Sequence, residues 1–343
     1  MGAHRLVRRP WLYLIALVAT LGLLSPAFPV TSVAQPPDVL AAASRVEPAV
    51  ARIDTRIDYQ RAIGVGAGIV LHPNGEVLTN FHVVQGADTI TATVNGQPFP
   101  AELIGYNRRQ DIAVLQLHGA AGLPVAPIGD SDSLAPGEPV VALGNANGTH
   151  APLTRETGTV TEFGRTVTAE DTLTGSSEEL SGLFEFAAPV RAGDSGGPVV
   201  NTAGEVVGIT TAASVSFRMG PGGRGFAIPI NDAMAIADQI RARVPSDSVH
   251  IGPPTLLGVG VRTAPLRTRP GVLIQDVLRG GPAEAAGLRS GDILIELDGT
   301  RLDSATTLTY TLDRHYPGDV VDLVWIDASG QTRTGKATLT AHL

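Results

Sequence analysis

The chain has 343 residues, 43% of them hydrophobic, with a formal net charge of -8 and no cysteine. Net acidity gives it no electrostatic reason to bind nucleic acid or an anionic membrane, and a chain without thiols has neither a cysteine nucleophile nor thiolate metal ligands nor disulfide staples. The 40 glycines and 25 prolines, against 17% charged residues, favour a mainly β chain rich in turns over a helical bundle.

The first 34 residues read as a signal peptide. Arg5, Arg8 and Arg9 form a basic start, residues 11–24 an apolar run too short to span a bilayer, and Ser32-Val33-Ala34 a small-residue cleavage site. This predicts a secreted or cell-envelope protein, with a retained membrane anchor as the alternative. Residues 35–63 form an N-terminal extension with a short amphipathic segment over 39–51.

From Gly64 onward, short apolar runs alternate with turns. Residues 65–71 and 76–78 flank His72-Pro73-Asn74-Gly75, a hairpin signal. Further strands are predicted over 89–94, 101–105, 112–117, 140–143, 158–163, 183–186, 198–201, 206–211 and 226–228, a pattern of sandwich or barrels. The polar stretch 166–182 reads as an exposed loop ahead of Ser195, placed to influence its surroundings. A helix follows, with Asn231 as its N-cap and Ala233, Ile236, Ala237 and Ile240 on its packed face. Residues 245–255 are polar and Pro-rich and read as a linker. Residues 256–343 form a compact β-rich module with two short helices, one at 282–286 and one starting at Ser304.

The chemistry starts at Gly193-Asp194-Ser195-Gly196-Gly197-Pro198. A serine hydroxyl attacks a carbonyl only if a base takes its proton and donors stabilise the resulting oxyanion. Glycines let amides converge on one point, so the amides of Gly193 and Ser195 are the candidate oxyanion donors. His82, at the end of an apolar strand, is the candidate base. Asp111, leading into the apolar run 112–117, is the candidate carboxylate that fixes the imidazole's tautomer. The order His, Asp, Ser is that of the chymotrypsin-type template. Gly64-x-Gly66-x-Gly68 leads into a strand, which excludes a nucleotide loop, and no His/Asp/Glu group has metal-ligand spacing.

These strings, with Gly66-Ala67-Gly68-Ile69-Val70 and Gly225-Phe226-Ala227-Ile228-Pro229, resemble bacterial trypsin-like serine proteases of the HtrA/DegP group. Leu256-Leu257-Gly258-Val259, residues 281–288 and Gly291-Asp292-Ile293-Leu294 resemble that group's PDZ domain. The resemblance implies a chymotrypsin-like double β-barrel over residues 64–244, followed by a small α+β PDZ domain. It implies an endopeptidase acting on unfolded or misfolded proteins through an acyl-enzyme, with no cofactor and no metal, in protein quality control. Pro189, six residues before Ser195, would floor the substrate pocket, and Thr211, Ala212 and Ala213 would line its wall, selecting small or medium apolar residues. Amides of Leu257, Gly258 and Val259 would hold a C-terminal peptide's carboxylate, with Leu308 lining the groove. A homo-trimer through the N-terminal segment is also implied, although Tyr59 is the one aromatic anchor that segment offers. There are two departures. Phe81 replaces a residue that is often polar. Asp194 stands where the group has Asn; once buried it calls for a cation, and Arg155, Arg165 and Arg191 are the candidates. A PDZ-containing chaperone or scaffold with low basal proteolysis, and an esterase, are the competing functions.

Overall fold

Short apolar strands expose backbone edges, and closing them into rings removes those edges. The computed structural model describes residues 38–57, 62–170, 177–211, 223–263 and 271–341. The signal-peptide segment, Tyr59, Ala212 and Ala213 lie outside the described residues.

A short helix α1 (Val39–Ala43) precedes β1 (Val50–Ile57), β2 (Ala62–His72) and β3 (Glu76–Thr79). Helix α2 (Phe81–Val84) is one turn long and leads to β4 (Thr89–Val94), β5 (Gln97–Asn107) and β6 (Ile112–Leu117). These strands run β5-β4-β1-β2-β3-β6, and β6 pairs back onto β5, closing six strands into a ring. Ile53, Ile69, Leu78, Ile112 and Leu115 fill it and are fully buried. Each such side chain contributes about 1.5–3 kcal/mol.

The second ring comprises β7 (Pro139–Gly144), β8 (Thr154–Glu170), β9 (Ser177–Phe186), β10 (Pro198–Val200), β11 (Val206–Thr211) and β12 (Gly225–Pro229). It is a closed barrel in the order β10-β11-β12-β9-β8-β7. Phe184 and Phe186 pack in its core, ring centroids 6.1 Å apart. Helix α3 (Ile230–Arg241) then buries Ala233, Ile236, Ala237 and Ile240 against the strands.

After α3, β13 (His250–Ile251) pairs with β5. The last unit comprises β14 (Thr255–Leu256), β15 (Val259–Thr263), β16 (Val272–Val277), α4 (Pro282–Ala286), β17 (Ile293–Leu297), β18 (Thr300–Arg301), α5 (Ala305–Leu312), β19 (Val320–Ile326), β20 (Thr332–Thr338) and β21 (Thr340–Ala341). Its main sheet runs β15-β16-β17-β19-β20. Leu257, Val272, Ile274, Leu294, Leu308 and Trp325 belong to a separate core in this unit.

Four local expectations are corrected. His82 lies in α2 rather than at a strand end, because the strand stops at Thr79 and Asn80 turns the chain into a helical turn. Residues 166–170 and 177–182 are paired strand, not loop, since Val167↔Leu180 and Thr168↔Glu179 continue the β8–β9 ladder. Asn231 lies inside the first turn of α3; Pro229 is its N-cap residue, and the Asn231 amide donates to Asp130 instead. The span 245–255 is no passive linker, because β13 joins the first ring's sheet through His250↔Tyr106 and Ile251↔Gly105.

Candidate active site

The loop that carries Ser195 is threaded between the two barrels. Ala67 on β2 donates its amide to the Ser195 carbonyl at 2.8 Å, while Asn145, after β7, donates to the Gly193 carbonyl at 3.0 Å. Gly193 has φ 96°, and a Cβ there would meet the Ala146 Cα at 2.8 Å. Gly196 has φ 83°, and a Cβ there would collide with the Ala67 carbonyl oxygen. Both positions need a residue without a side chain, which is the physical content of the glycine string.

Asp194 is 1% exposed, and its ties correct the expectation of a cation. The Ala146 amide donates to Oδ1 at 3.2 Å, the Arg191 backbone amide to Oδ2 at 2.9 Å, and the Thr154 hydroxyl to Oδ1. The three candidate guanidinium groups go elsewhere: Arg155 to Glu47, Arg165 to Glu162 and Glu185, and Arg191 to Glu156. Two backbone amides and a hydroxyl thus solvate the carboxylate and pin the turn before Ser195 to the β7–β8 connection.

Asp111 holds α2 from the side. It closes the turn between β5 and β6 at φ 53°, a left-handed conformation that aspartate tolerates better than most residues. Its carbonyl accepts from the Phe81 amide at 3.2 Å and from Asn80 Nδ2 at 2.9 Å. Its carboxylate grips His82 twice: Oδ1 accepts from the His82 backbone amide at 2.9 Å, and Oδ2 lies 2.7 Å from His82 Nδ1. The Thr211 hydroxyl also donates to Oδ2, at 3.3 Å. A carboxylate only accepts, so Nδ1 is the nitrogen that carries the proton toward Asp111.

Gly66 brings His82's helix and Ser195 to one place. A Cβ at Gly66 would lie 2.5 Å from Val83 Cγ1 and 3.3 Å from the Ser195 carbonyl oxygen. The end of β11 links the same two parts. Thr210 exchanges backbone hydrogen bonds with Gly196 and Gly197, at 2.9 and 2.8 Å, while the next residue, Thr211, reaches Asp111. Thr211, expected on the pocket wall, is 1% exposed, and its hydroxyl is held by Asp111. Sequence reasoning misses this link, and its one signal is a hydroxyl ending a fully buried strand.

Pro189 is exposed, and a Cβ on Gly223 would sit 2.6 Å from its Cα, so the two segments pack against each other. In the last unit, Gly258 has φ 80°, and its carbonyl accepts from the Leu278 amide at 2.9 Å. Leu257 is 1% exposed, and Leu308 is buried in the same core, so its side chain packs rather than lines an open groove. Val259 begins β15 and is half-buried.

Beneath α2 lies a contact the sequence does not announce. Phe81 stacks on Tyr106 at 4.2 Å, and the Arg108 guanidinium sits over Phe81 at 4.6 Å. Arg108 Nε donates to Asp313 Oδ2 at 2.6 Å and Nη2 to Oδ1 at 3.0 Å. The Tyr106 hydroxyl donates to Asp313 Oδ1 at 2.7 Å. Burial first, then the Asp313 carboxylate, pushes the Tyr106 phenol far above its ordinary range.

Two barrels with a Gly-rich serine loop at their junction, followed by a small sheet with two helices, define a trypsin-like peptidase joined to a PDZ domain. Residues 66–209 match the family described as trypsin-like peptidase domain, and residues 256–326 match the PDZ domain family. The chain is 32% identical over 310 residues to the putative serine protease HhoA of Synechocystis sp., covering 79% of this chain and 76% of the relative. It is 30% identical over 320 residues to the serine protease PepD of Mycobacterium tuberculosis, covering 89% and 66%. A solved structure of the HtrA-type protease AlgW with tripeptide is similar over 89% of this chain and 97% of that one, with 27% identity and a TM-score of 0.51. The chain belongs to the HtrA-type family of serine proteases. It spans 59% of another relative, the putative serine protease HhoB of Synechocystis sp., at 35% identity.

Proposed function

We propose that this protein is a serine endopeptidase in which Ser195 is the nucleophile, His82 the base and Asp111 the orienting carboxylate. The observation that carries the reading is the double grip of Asp111 on His82, at 2.9 Å on the backbone amide and 2.7 Å on Nδ1. That grip fixes both the ring's position and its tautomer. Nε2 takes the Ser195 proton as the hydroxyl attacks a peptide carbonyl, and the amides of Gly193 and Ser195 receive the oxyanion. The imidazolium then protonates the leaving amine, and water hydrolyses the acyl-enzyme by the same route.

Pro189, with no acid at its position, suits small or medium apolar side chains at the cleavage site. Such residues are exposed chiefly in unfolded chains, which makes these the preferred substrates. In the PDZ domain, the amides of Leu257, Gly258 and Val259 receive the carboxylate of a C-terminal peptide, which adds to the sheet beside β15. Export to the cell envelope is supported by the N-terminal basic-apolar segment and by relatives named as periplasmic, among them the DegP-like endoprotease of Halomonas elongata. Among the described residues no helix is long and apolar enough to cross a membrane.

The test compares the chain from Gln35 onward with its Ser195→Ala variant on an unfolded and a folded protein. Fragmentation of the unfolded substrate by the parent alone, with cuts after apolar residues, is the expected result. Equal inertness of both proteins, with both suppressing aggregation, would replace the peptidase reading with that of a chaperone.

A further inference from the structure

The segment between the peptidase and PDZ domains carries a buried histidine with a carbonyl oxygen against each ring nitrogen. His250, on β13, is 3% exposed. Its ring lies between Tyr106 of the first barrel, at 5.0 Å, and Tyr316 of the PDZ domain, at 4.5 Å, stacked on both. With Phe81 stacked on Tyr106, four rings form a column from the residue before His82 into the PDZ domain.

Both imidazole nitrogens face carbonyl oxygens. Nδ1 is 2.9 Å from the Asp313 carbonyl, and Nε2 is 3.1 Å from the Pro253 carbonyl. A carbonyl only accepts hydrogen bonds. A neutral imidazole has one N–H, so its second nitrogen would turn a lone pair toward an oxygen. An imidazolium donates to both. Asp313 is also the C-cap residue of α5, where the helix dipole favours a cation. The neighbouring Thr255 hydroxyl donates to the Leu312 carbonyl, in the last turn of the same helix, at 2.9 Å.

We propose that His250 is a pH-sensitive clasp, which in its protonated form fastens the PDZ helix α5 to the peptidase barrel. The other ionisable groups around it are accounted for by their own partners or positions. From β5 and the turn after it come Tyr106 and Arg108, both bonded to the Asp313 carboxylate. Arg109, Asp247 and Tyr310 line a small cavity together with His250. Beside Tyr316, His315 lies 3.8 Å from Asp298 and 3.7 Å from Asp319. Because the docked state holds the proton, docking tightens as pH falls through the range where histidines titrate, about pH 5–8, and loosens as pH rises.

The clasp is independent of proteolysis and is tested without it. The chain has no native cysteine, so Ser181→Cys and Thr334→Cys, at exposed sites on the two domains, accept an energy-transfer dye pair in a Ser195→Ala background. We expect efficient transfer at about pH 5.5 and a loss by about pH 8, the ratio of open to docked forms rising by no more than about tenfold per pH unit, the limit for one proton. His250→Gln should flatten the profile, and His315→Asn should leave it in place. A flat profile in the parent, or an unchanged transition in a folded His250→Gln chain, would overturn the proposal. Nitrogen NMR of the parent's His250 ring needs no core substitution. Two protonated nitrogens in the docked form support the clasp, and a neutral ring in that form at the acidic end sinks it.

Discussion

Replacing Asp111 by Asn changes one atom and tests the site at its centre. The side chain is buried, and its two oxygens have separate tasks: Oδ1 takes the His82 amide at 2.9 Å, and Oδ2 takes Nδ1 at 2.7 Å and the Thr211 hydroxyl at 3.3 Å. Asn has one acceptor oxygen. If it stays on the His82 amide, an NH2 group faces Nδ1, which must become the acceptor, so the ring's proton moves to Nε2. The nitrogen that should take the Ser195 proton then already carries one. If the amide flips, an NH2 group meets the His82 N–H and α2 is pushed away. Either arrangement disables the base while the oxyanion donors remain. The corresponding substitution in the chymotrypsin-type template lowers kcat about 10⁴-fold, or about 5.4 kcal/mol in the barrier, and the same size is expected here. The assay is kcat on an unfolded protein or an apolar peptide at neutral pH, with KM nearly unchanged. A folded Asp111→Asn enzyme retaining more than about a tenth of the parent kcat would refute the assignment.

Further outcomes follow from other contacts. Asp194→Ala orphans the Thr154 hydroxyl and the Ala146 and Arg191 amides, and should cost about 3 kcal/mol of unfolding free energy in urea together with activity. Asp194→Asn, which keeps one acceptor oxygen, should cost less on both measures. Arg108→Ala strips a mostly buried Asp313 of its ion partner and should cost about 3–5 kcal/mol; in a double-mutant cycle with Asp313→Ala the costs should be far from additive. Tyr106 binds its proton more tightly folded than unfolded, so its share of stability is intact below the ordinary tyrosine pKa of about 10 and declines as pH rises above it. Ultraviolet titration should show one tyrosine that stays protonated until the fold opens, and Tyr106→Phe should remove it.

Much of the architecture is legible in the sequence because periodicity and turn chemistry are local. Runs such as 89–94, 112–117 and 206–211 are strands with those limits. The Ser195 loop is legible for the same reason, since its glycines answer to positive φ and close backbone contact. What sequence reasoning misses depends on partners distant along the chain. β8 and β9 extend well beyond their apolar cores because each supplies the other's ladder, which polar side chains do not prevent. A buried Asp194 calls for a cation on charge alone, yet the backbone amides of Ala146, from another loop, and Arg191, from its own turn, solvate it, and no pattern of side chains reveals those. The bond from the Thr211 hydroxyl to Asp111 is equally hidden, because the two residues lie about a hundred positions apart. Phe81, in sequence only a departure from the family pattern, is one end of the ring column that reaches the PDZ domain.

The central claim, that Ser195 is a nucleophile activated by His82, is tested most directly by mass spectrometry after exposure to a fluorophosphonate, which phosphonylates an activated serine. The account predicts one adduct, on the peptide containing Ser195, absent in Ser195→Ala and strongly slowed in folded His82→Ala and Asp111→Asn. Labelling that is absent from Ser195, or that proceeds equally fast without His82, would contradict it.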